Sequence, residues 1–345
     1  MTVDAVKALF ERQCARGGFP GGQLAVERGG QRLIDLSVGV ARGWRSSDAP
    51  VPVTPELPFQ VMSASKAVLA VAIARLEERG LIDVLAPVRR YVPEFGAAEV
   101  TVLDVLTHRS GVTLPVLSKH PTWWSDPARI LAALREEGAT FPRGTLAYQP
   151  IAFGWILGEV LRRITGETLE AFSAREVGPE LHWRYSGDAA ETYWLGARRY
   201  MLNGANLAQD FEETNNHVAA RTALVPGAGM YTTARALAAF YARLVQEDSP
   251  VLRRYTEAQT RGRDKVTGTY VVLGRGFATG WRWPHPFGWW NTQDCFGHAG
   301  GFSVVAYGDR RTGAGVAIVT NANRSISDLV WRFAPLGSAI RKALL

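Results

Sequence analysis

Cysteine is scarce in this sequence. Cys14 and Cys295 are the only two among 345 residues, and they lie far apart along the chain. A secreted domain stabilised by disulfides carries a denser set of cysteines. A zinc site is not expected either, because the C-x-x-H spacing of Cys295 and His298 is not followed by a second pair of ligands. We therefore predict a cytoplasmic protein with no metal and no other cofactor.

Long apolar runs and blocks of basic residues are also missing. No apolar stretch approaches the roughly 18 residues of a membrane-spanning helix, so we expect no membrane partner. The net charge is +7, but most basic residues are arginines that occur singly and alternate with acids, as in ARLEERG and AALREEG. Because no basic block of the kind found in nucleic-acid interfaces is present, we expect no nucleic-acid partner.

Segments typical of strands lie at both ends of the chain, and segments typical of helices lie between them. The first segment is an amphipathic helix, which its charges distinguish from a signal peptide. Two strand patterns then meet at a Gly-Gly turn and predict a hairpin. Helical patterns dominate from about residue 63 to residue 264. Strand patterns with glycine turns follow, and an amphipathic helix closes the chain.

This order predicts a mixed fold, α/β plus all-α. An antiparallel sheet is built from both chain ends, 1–62 and 265–345, and is flanked by helices. A mainly helical region, 63–264, is inserted between them. With 47% hydrophobic residues the chain can bury a substantial core, and we expect an active site at the interface of the two parts.

Ser63 and Lys66 stand at the head of an apolar helix predicted over residues 63–79. Side chains at positions i and i+3 of a helix are neighbours, so the two can meet. A serine hydroxyl is a weak nucleophile until a base takes its proton, and a lysine acts as that base only where burial lowers its pKa. The apolar run after Lys66 is consistent with such burial. The alternative is a serine cap and a lysine that extends to solvent.

Two further segments support a reactive serine. Tyr148 precedes a predicted helix, and beside Lys66 it could pass a proton to a leaving group; the alternative is a core aromatic residue. The glycines of FGHAGG precede a strand, where they permit close approach of the backbone, and a free N–H there could donate to an oxyanion. The alternative is a tight strand entrance with a hydrogen-bonded histidine.

These segments together resemble the motifs of the serine β-lactamase and penicillin-binding-protein superfamily: Ser63-x-x-Lys66, then Tyr148-Gln149-Pro150, then His298-Ala299-Gly300. Within it, the chain is most similar to class C β-lactamase-like proteins, which include family VIII carboxylesterases and transacylases of natural-product biosynthesis. GLIDVLAPVRRYVPEF, TVLDVLTHRSGV and VPGAGMYTTARALAAFYARLV extend the likeness over nearly the whole chain.

The resemblance implies a role for each motif residue. Ser63 would be the acylated nucleophile, Lys66 its proton acceptor and Tyr148 the partner acid or base. The main-chain N–H groups of Ser63 and Gly301 would form the oxyanion hole. His298, Ala299 and Gly300 would take the substrate-binding places of the third motif.

Three positions depart from the family pattern and change the expected substrate. Pro150 replaces the asparagine of the second motif, while His298 and Ala299 replace the lysine and threonine that hold a substrate carboxylate. We therefore expect an esterase or acyltransferase acting on an ester, thioester or amide with a less charged acyl group. The acceptor is water, an amine or an alcohol. The alternatives are a β-lactamase or D-amino-acid peptidase-like hydrolase, and a ligand-binding homologue without turnover.

Tryptophans crowd two loops near these motifs. We predict that Trp123 and Trp124, together with Trp289 and Trp290, form walls of an apolar substrate pocket, beside Trp281 and Trp283. The alternative is that they pack the loops. No G-x-S-x-G sequence occurs, which excludes the usual nucleophile of an α/β-hydrolase. His108 is expected to brace a helix end.

Overall fold

The computed structural model of the chain describes residues 1–45, 49–197, 201–202, 205–206 and 211–345. The helices in these residues are α1 Val3–Ala15, α2 Ser65–Glu78, α3 Val102–Leu106, α4 Pro115–Lys119, α5 Pro127–Glu136, α6 Ala152–Thr165, α7 Leu169–Glu176, α8 Phe211–Asn216, α9 Val218–Thr222, α10 Ala234–Gln246, α11 Pro250–Thr256 and α12 Ile326–Leu344. Short 3-10 turns span Met62–Ala64, Val88–Arg90 and Pro121–Ser125.

The strands are β1 Gly21–Arg28, β2 Gln31–Arg42, β3 Val51–Pro52, β4 Phe59–Gln60, β5 Tyr193–Trp194, β6 Met201–Leu202, β7 Ala205–Asn206, β8 Tyr231–Thr232, β9 Thr260–Arg263, β10 Tyr270–Leu273, β11 Ala278–Thr279, β12 Cys295–Gly300, β13 Val304–Asp309, β14 Ala314–Thr320 and β15 Ala322–Asn323. In the described chain, nine of them form one sheet in the order β3-β2-β1-β14-β13-β12-β11-β10-β9. Its neighbours pair antiparallel, and the predicted sheet flanked by helices is confirmed.

Successive side chains of the central strands point to opposite faces of the sheet, and both faces are buried. On β13, Val305 and Tyr307 pack towards the terminal helices α1 and α12, while Val304 and Ala306 pack towards the inserted helices. Helix α10 lies directly on the second face, since a Cβ added at Gly315 would meet the Ala238 carbonyl at 2.0 Å. No helix among the described residues is both long and apolar enough to cross a bilayer.

The central helix α2 is buried on nearly every side, which explains its continuous apolar sequence. The prediction that it begins at Ser63 is wrong by two residues. Met62 has a φ of +45°, outside the range of a right-handed helix, so a 3-10 turn holds Ser63 and α2 begins at Ser65. The helix ends as expected before Gly80, whose φ of +68° suits glycine.

Candidate active site

The 3-10 turn Met62–Ala64 holds Ser63 between the sheet and the inserted helices. The segment leading into it is fixed by the pairing of β4 with β8 and by a hydrogen bond from the Val61 N–H to the Met230 carbonyl, 2.9 Å. Met62 then enters the left-handed region, a conformation that costs a non-glycine residue roughly 1 kcal/mol or more. This local strain directs the chain so that the Ser63 side chain reaches a cavity.

Lys66 is fully buried one turn after Ser63. Its Nζ lies 2.9 Å from Ser63 Oγ and 2.7 Å from each of two main-chain carbonyls, those of Pro150 and Gly227. No carboxylate among the described residues forms a salt bridge with it. Burial lowers the pKa of the amine well below its ordinary value of 10.5.

These contacts suit a neutral amine. A neutral amine has two N–H donors and one lone pair, which match two carbonyl acceptors and one hydroxyl. When the N–H groups donate to Pro150 and Gly227, the lone pair is left for the hydroxyl of Ser63. Lys66 is therefore placed to accept the proton of Ser63.

Tyr148 joins this pair from the loop before α6. Its phenol has a hydrogen-bonding interaction with Ser63, and its ring centroid lies 5.1 Å from Lys66 Nζ. Burial raises the pKa of the phenol well above its ordinary value, by more than the contact with Ser63 lowers it. Tyr148 therefore keeps its proton at neutral pH and can donate it.

Strand β12 can end beside the Ser63 turn because its last residue, Gly300, and the next residue, Gly301, are glycines. A Cβ added at Gly300 would lie 1.9 Å from the Val61 carbonyl, and one at Gly301 would lie 2.3 Å from Met62 Sδ. Gly301 also has a φ of +52°. In the described part of the chain, the N–H groups of Ser63 and Gly301 donate to no backbone carbonyl. Both are free to donate to an oxyanion.

His298 lies at the same edge and is buried in the wall of the cavity. Burial, together with the nearby Lys66, lowers the pKa of its imidazole to about 3. At neutral pH it carries no charge, unlike the lysine that the resemblance places at this position.

The cavity above Ser63 has a volume of about 450 Å³. Its described lining is apolar and aromatic for the most part and contains no lysine or arginine: Ser63, Tyr148, Pro150, Phe211, Asp264, Thr267, Thr269, Tyr270, Val271, Val272, Leu273, Ala278, Trp281, Pro284, His285, Pro286, Phe287, His298, Ala299, Gly301, Phe302, Asn323, Ile326, Leu329 and Val330. Such a cavity suits an uncharged acyl group rather than an anion.

The four tryptophans predicted as pocket walls lie outside this described lining. Trp123 stacks on His120 with ring centroids 4.4 Å apart, and Trp124 donates to the Leu117 carbonyl and lines a second cavity. Trp289 contacts Trp331, while Trp290 is exposed. The loop after β11 turns Trp281 and Phe287 inwards, and these two supply the aromatic wall instead.

The structure also shows positioning groups that the sequence did not single out. Asp264, which is buried, accepts from the Tyr148 N–H at 2.7 Å and from the Thr267 N–H at 2.8 Å. In the sequence it lies at the predicted boundary between the helical region and the later strands, and no motif marked it. The two carbonyls that accept from Lys66 belong to the main chain. Every residue has such a carbonyl, so the sequence could not show which ones contact Lys66.

Gln149 and His108 support the same loop from behind. The Gln149 side chain donates to Ser110 Oγ and to the Val112 carbonyl, at 2.6 and 3.0 Å, so it points away from the cavity. His108 Nδ1 accepts from the Gln149 N–H, and its ring lies 4.7 Å from that of Tyr148. His108 therefore braces the Tyr148 loop.

Comparisons with known proteins agree with this geometry. A family model described as Beta-lactamase matches residues 6–333. The protein named Esterase/beta-lactamase LipL, from Mycobacterium tuberculosis (strain ATCC 25618 / H37Rv), is 28% identical over 90% of this chain and 79% of its own length. A penicillin-binding protein homologue from Caulobacter crescentus has a TM-score of 0.84 and 26% identity over 99% of this chain and 97% of its own. A family VIII carboxylesterase has a TM-score of 0.79 and 23% identity, over 96% and 97%.

Proposed function

The chain belongs to the β-lactamase family and is a serine hydrolase of that fold, and on this premise we propose that it is an esterase or acyltransferase. It forms an acyl-enzyme at Ser63 from an uncharged ester, thioester or amide. The observation that carries the proposal is the contact of Ser63 Oγ with a buried, uncharged Lys66 at the end of an apolar cavity. The similarity to LipL, which is named an esterase/β-lactamase, supports an ester substrate.

Acylation follows from the positions of three side chains. Ser63 Oγ attacks the substrate carbonyl carbon, and its proton passes to Lys66 Nζ. The carbonyl oxygen becomes an oxyanion that accepts from the N–H groups of Ser63 and Gly301. When the intermediate collapses, the leaving group takes the phenolic proton of Tyr148, and Lys66 returns its proton to Tyr148. The products are the acyl-enzyme and a protonated alcohol, thiol or amine.

Deacylation uses the same groups in reverse. The acceptor, which is water, an alcohol or an amine, gives its proton to Lys66 as it attacks the acyl carbon. Tyr148, in contact with Ser63, protonates the departing serine oxygen, and Lys66 then returns its proton to Tyr148, which restores the starting state of both groups. Because the cavity lining is apolar, an organic acceptor that fits it competes with water, which favours transfer of the acyl group.

Intact-mass spectrometry with short-chain nitrophenyl esters tests the proposal. We expect one acyl adduct on Ser63, and its faster loss when an amine is added. Ser63→Ala should stay unlabelled. Ser65→Ala is the matched control, because Ser65 Oγ is buried nearby and has no hydrogen-bond partner among the described residues, and it should label normally. An adduct on another residue would exclude the assignment, and a permanent adduct would indicate a ligand-binding homologue without turnover.

A further inference from the structure

Large aromatic side chains are exposed beside the mouth of the cavity. Trp283 and Trp290 are each 57% exposed, Trp331 is 69% exposed and Tyr270 is 50% exposed. Trp283 precedes the cavity-lining Pro284, Trp331 follows the cavity-lining Val330, and Tyr270 lines the cavity itself. We call Tyr270, Trp281, Trp283, Trp289, Trp290 and Trp331 the aromatic rim.

Ring contacts join the residues of the aromatic rim in pairs, and sequence neighbours connect these pairs to the cavity lining. Tyr270 stacks on Trp281 with centroids 4.9 Å apart, and both line the cavity. Trp283 lies edge-on to Trp290 at 6.2 Å. Trp289, the neighbour of Trp290 in sequence, lies edge-on to Trp331 at 5.2 Å. The exposed Trp283 and Trp331 therefore adjoin, in the chain, the residues Pro284 and Val330 that line the cavity above Ser63.

Basic residues outnumber acids in the segment that carries most of the aromatic rim. In residues 258–293 the only acidic residue is Asp264, which is buried. Arg261 and Arg263 are exposed on the edge strand β9, and in the β9–β10 register Arg263 is opposite Tyr270. Opposite residues of an antiparallel pair share a face of the sheet. Arg282 lies 5.9 Å from the Trp283 ring centroid.

We propose that the aromatic rim docks on an anionic lipid surface, from which an apolar acyl donor enters the cavity. This replaces the expectation of no membrane partner, which rested on the lack of a spanning segment and does not bear on a protein that binds at the surface. Tryptophan and tyrosine combine an apolar ring with a polar group and concentrate at membrane–water interfaces. Arginines next to the rings attract anionic headgroups. Because the described lining of the cavity carries no cationic side chain, the positive charge acts on the surface outside and not on the acyl group inside.

Docking is tested with vesicles, independently of catalysis. The protein should co-sediment with vesicles containing phosphatidylglycerol more strongly than with phosphatidylcholine vesicles, and added salt should weaken the binding. The double variant Trp283→Ser/Trp290→Ser should bind at least tenfold more weakly. Its control is Leu85→Ser, at a leucine that is 65% exposed on the inserted region.

The contribution of the arginines to vesicle binding is tested with two matched double variants. Arg261→Gln/Arg263→Gln should weaken binding to anionic vesicles by about fivefold for each charge removed. Arg90→Gln/Arg162→Gln, which removes two exposed arginines elsewhere, should leave it unchanged. Equal binding to neutral and anionic vesicles, or no vesicle binding by the unmodified protein, would overturn the proposal. So would selective capture of a protein partner by the rim in the absence of lipid.

The delivery step rests on the proposed function, and a second assay separates the two. Trp283→Ser/Trp290→Ser should hydrolyse a soluble short-chain ester at the normal rate but lose activity towards a long-chain ester presented in anionic vesicles. If the unmodified protein binds vesicles but cleaves neither ester, the docking proposal stands and the proposed function fails. Equal loss on both esters would overturn the delivery step.

Discussion

The imidazole of His298 donates from Nδ1 to the carbonyl of its neighbour Ala299, at a distance of 2.6 Å. A carbonyl only accepts, so the proton lies on Nδ1 and Nε2 carries a lone pair. Because burial lowers the pKa of the ring to about 3, this neutral form persists at physiological pH. Where the resemblance places an ammonium donor, this chain presents an uncharged ring.

His298→Lys should therefore shift selectivity towards anionic substrates. A charged hydrogen bond to a substrate carboxylate is worth about 1.5–3 kcal/mol, so the ratio of kcat/KM for a carboxylated ester over its neutral analogue should rise about 10- to 100-fold. His298→Gln, which adds no charge, is the control. The same ratio in the Lys and Gln variants would contradict this account of specificity.

The acylation rate should depend on the protonation of Lys66. Only the neutral amine accepts the Ser63 proton, and burial lowers its pKa well below 10.5. The rate should rise with pH and reach its plateau far below pH 10.5, as measured by the burst with a nitrophenyl ester. Lys66→Arg, which places a permanent cation where the neutral amine lies, should acylate about 10²- to 10⁴-fold more slowly. Lys7→Arg, at a partly exposed site, should behave normally.

Tyr148→Phe should show a rate loss that depends on the leaving group. An alkoxide needs a proton to depart, whereas nitrophenolate leaves readily without one. With alkyl esters we expect a loss of about 10²- to 10⁴-fold, and with nitrophenyl esters a much smaller one. Parallel losses on both substrates, measured by steady-state kinetics, would show that Tyr148 acts through structure and not through proton transfer.

Much of the fold could be predicted from local pattern. The β1–β2 hairpin follows from alternating residues around a Gly-Gly turn, and α10 and α12 follow from helical periodicity. The contact between Ser63 and Lys66 follows from their spacing, since a 3-10 turn that leads directly into a helix keeps residues three apart together.

The cavity wall could not be predicted, because it is assembled from segments distant in sequence. Nearness of Trp289 and Trp290 to the third motif suggested a wall, but the turn of their loop directs Trp281 inwards instead. Trp123 packs within its own loop region. The direction of the loop and the pairing of strands distant in sequence decide which aromatic side chains face the cavity, and a local sequence pattern does not encode either of them.

Asp264→Asn tests whether this carboxylate positions Tyr148. An amide cannot accept at both ends, so the N–H of Tyr148 or of Thr267 loses its partner. We expect a loss of about 1–3 kcal/mol in unfolding free energy and a fall in kcat with the same leaving-group dependence as Tyr148→Phe. Asp126→Asn is the control, because Asp126 accepts two N–H groups at the start of α5, outside the cavity lining. Both N–H groups donate to one oxygen of Asp126, and the oxygen of asparagine can still accept them, so this variant should keep nearly normal stability and kcat.

Gly300→Ala should separate the end of β12 from the Ser63 turn. The added Cβ would lie 1.9 Å from the Val61 carbonyl and 3.2 Å from the Ala64 nitrogen. Both contacts are with backbone, so rotation of a side chain cannot relieve them and the two segments must move apart. The N–H groups of Ser63 and Gly301 then no longer point at one oxyanion, and a displacement of about 1 Å can cost about 10²-fold in rate.

The control for this change is Gly138→Ala, because a Cβ at Gly138 would meet nothing within 4 Å. Both variants should be compared by thermal denaturation and by the acylation burst. Gly300→Ala should keep a cooperative unfolding transition at a lower Tm. It should acylate at least 10²-fold more slowly, because the added Cβ separates the segment that carries the Ser63 N–H from the segment that carries the Gly301 N–H. Gly138→Ala should match the unmodified protein in both measurements. Normal acylation by Gly300→Ala would mean that the oxyanion is stabilised elsewhere, because the two N–H groups cannot keep their geometry around a contact this short.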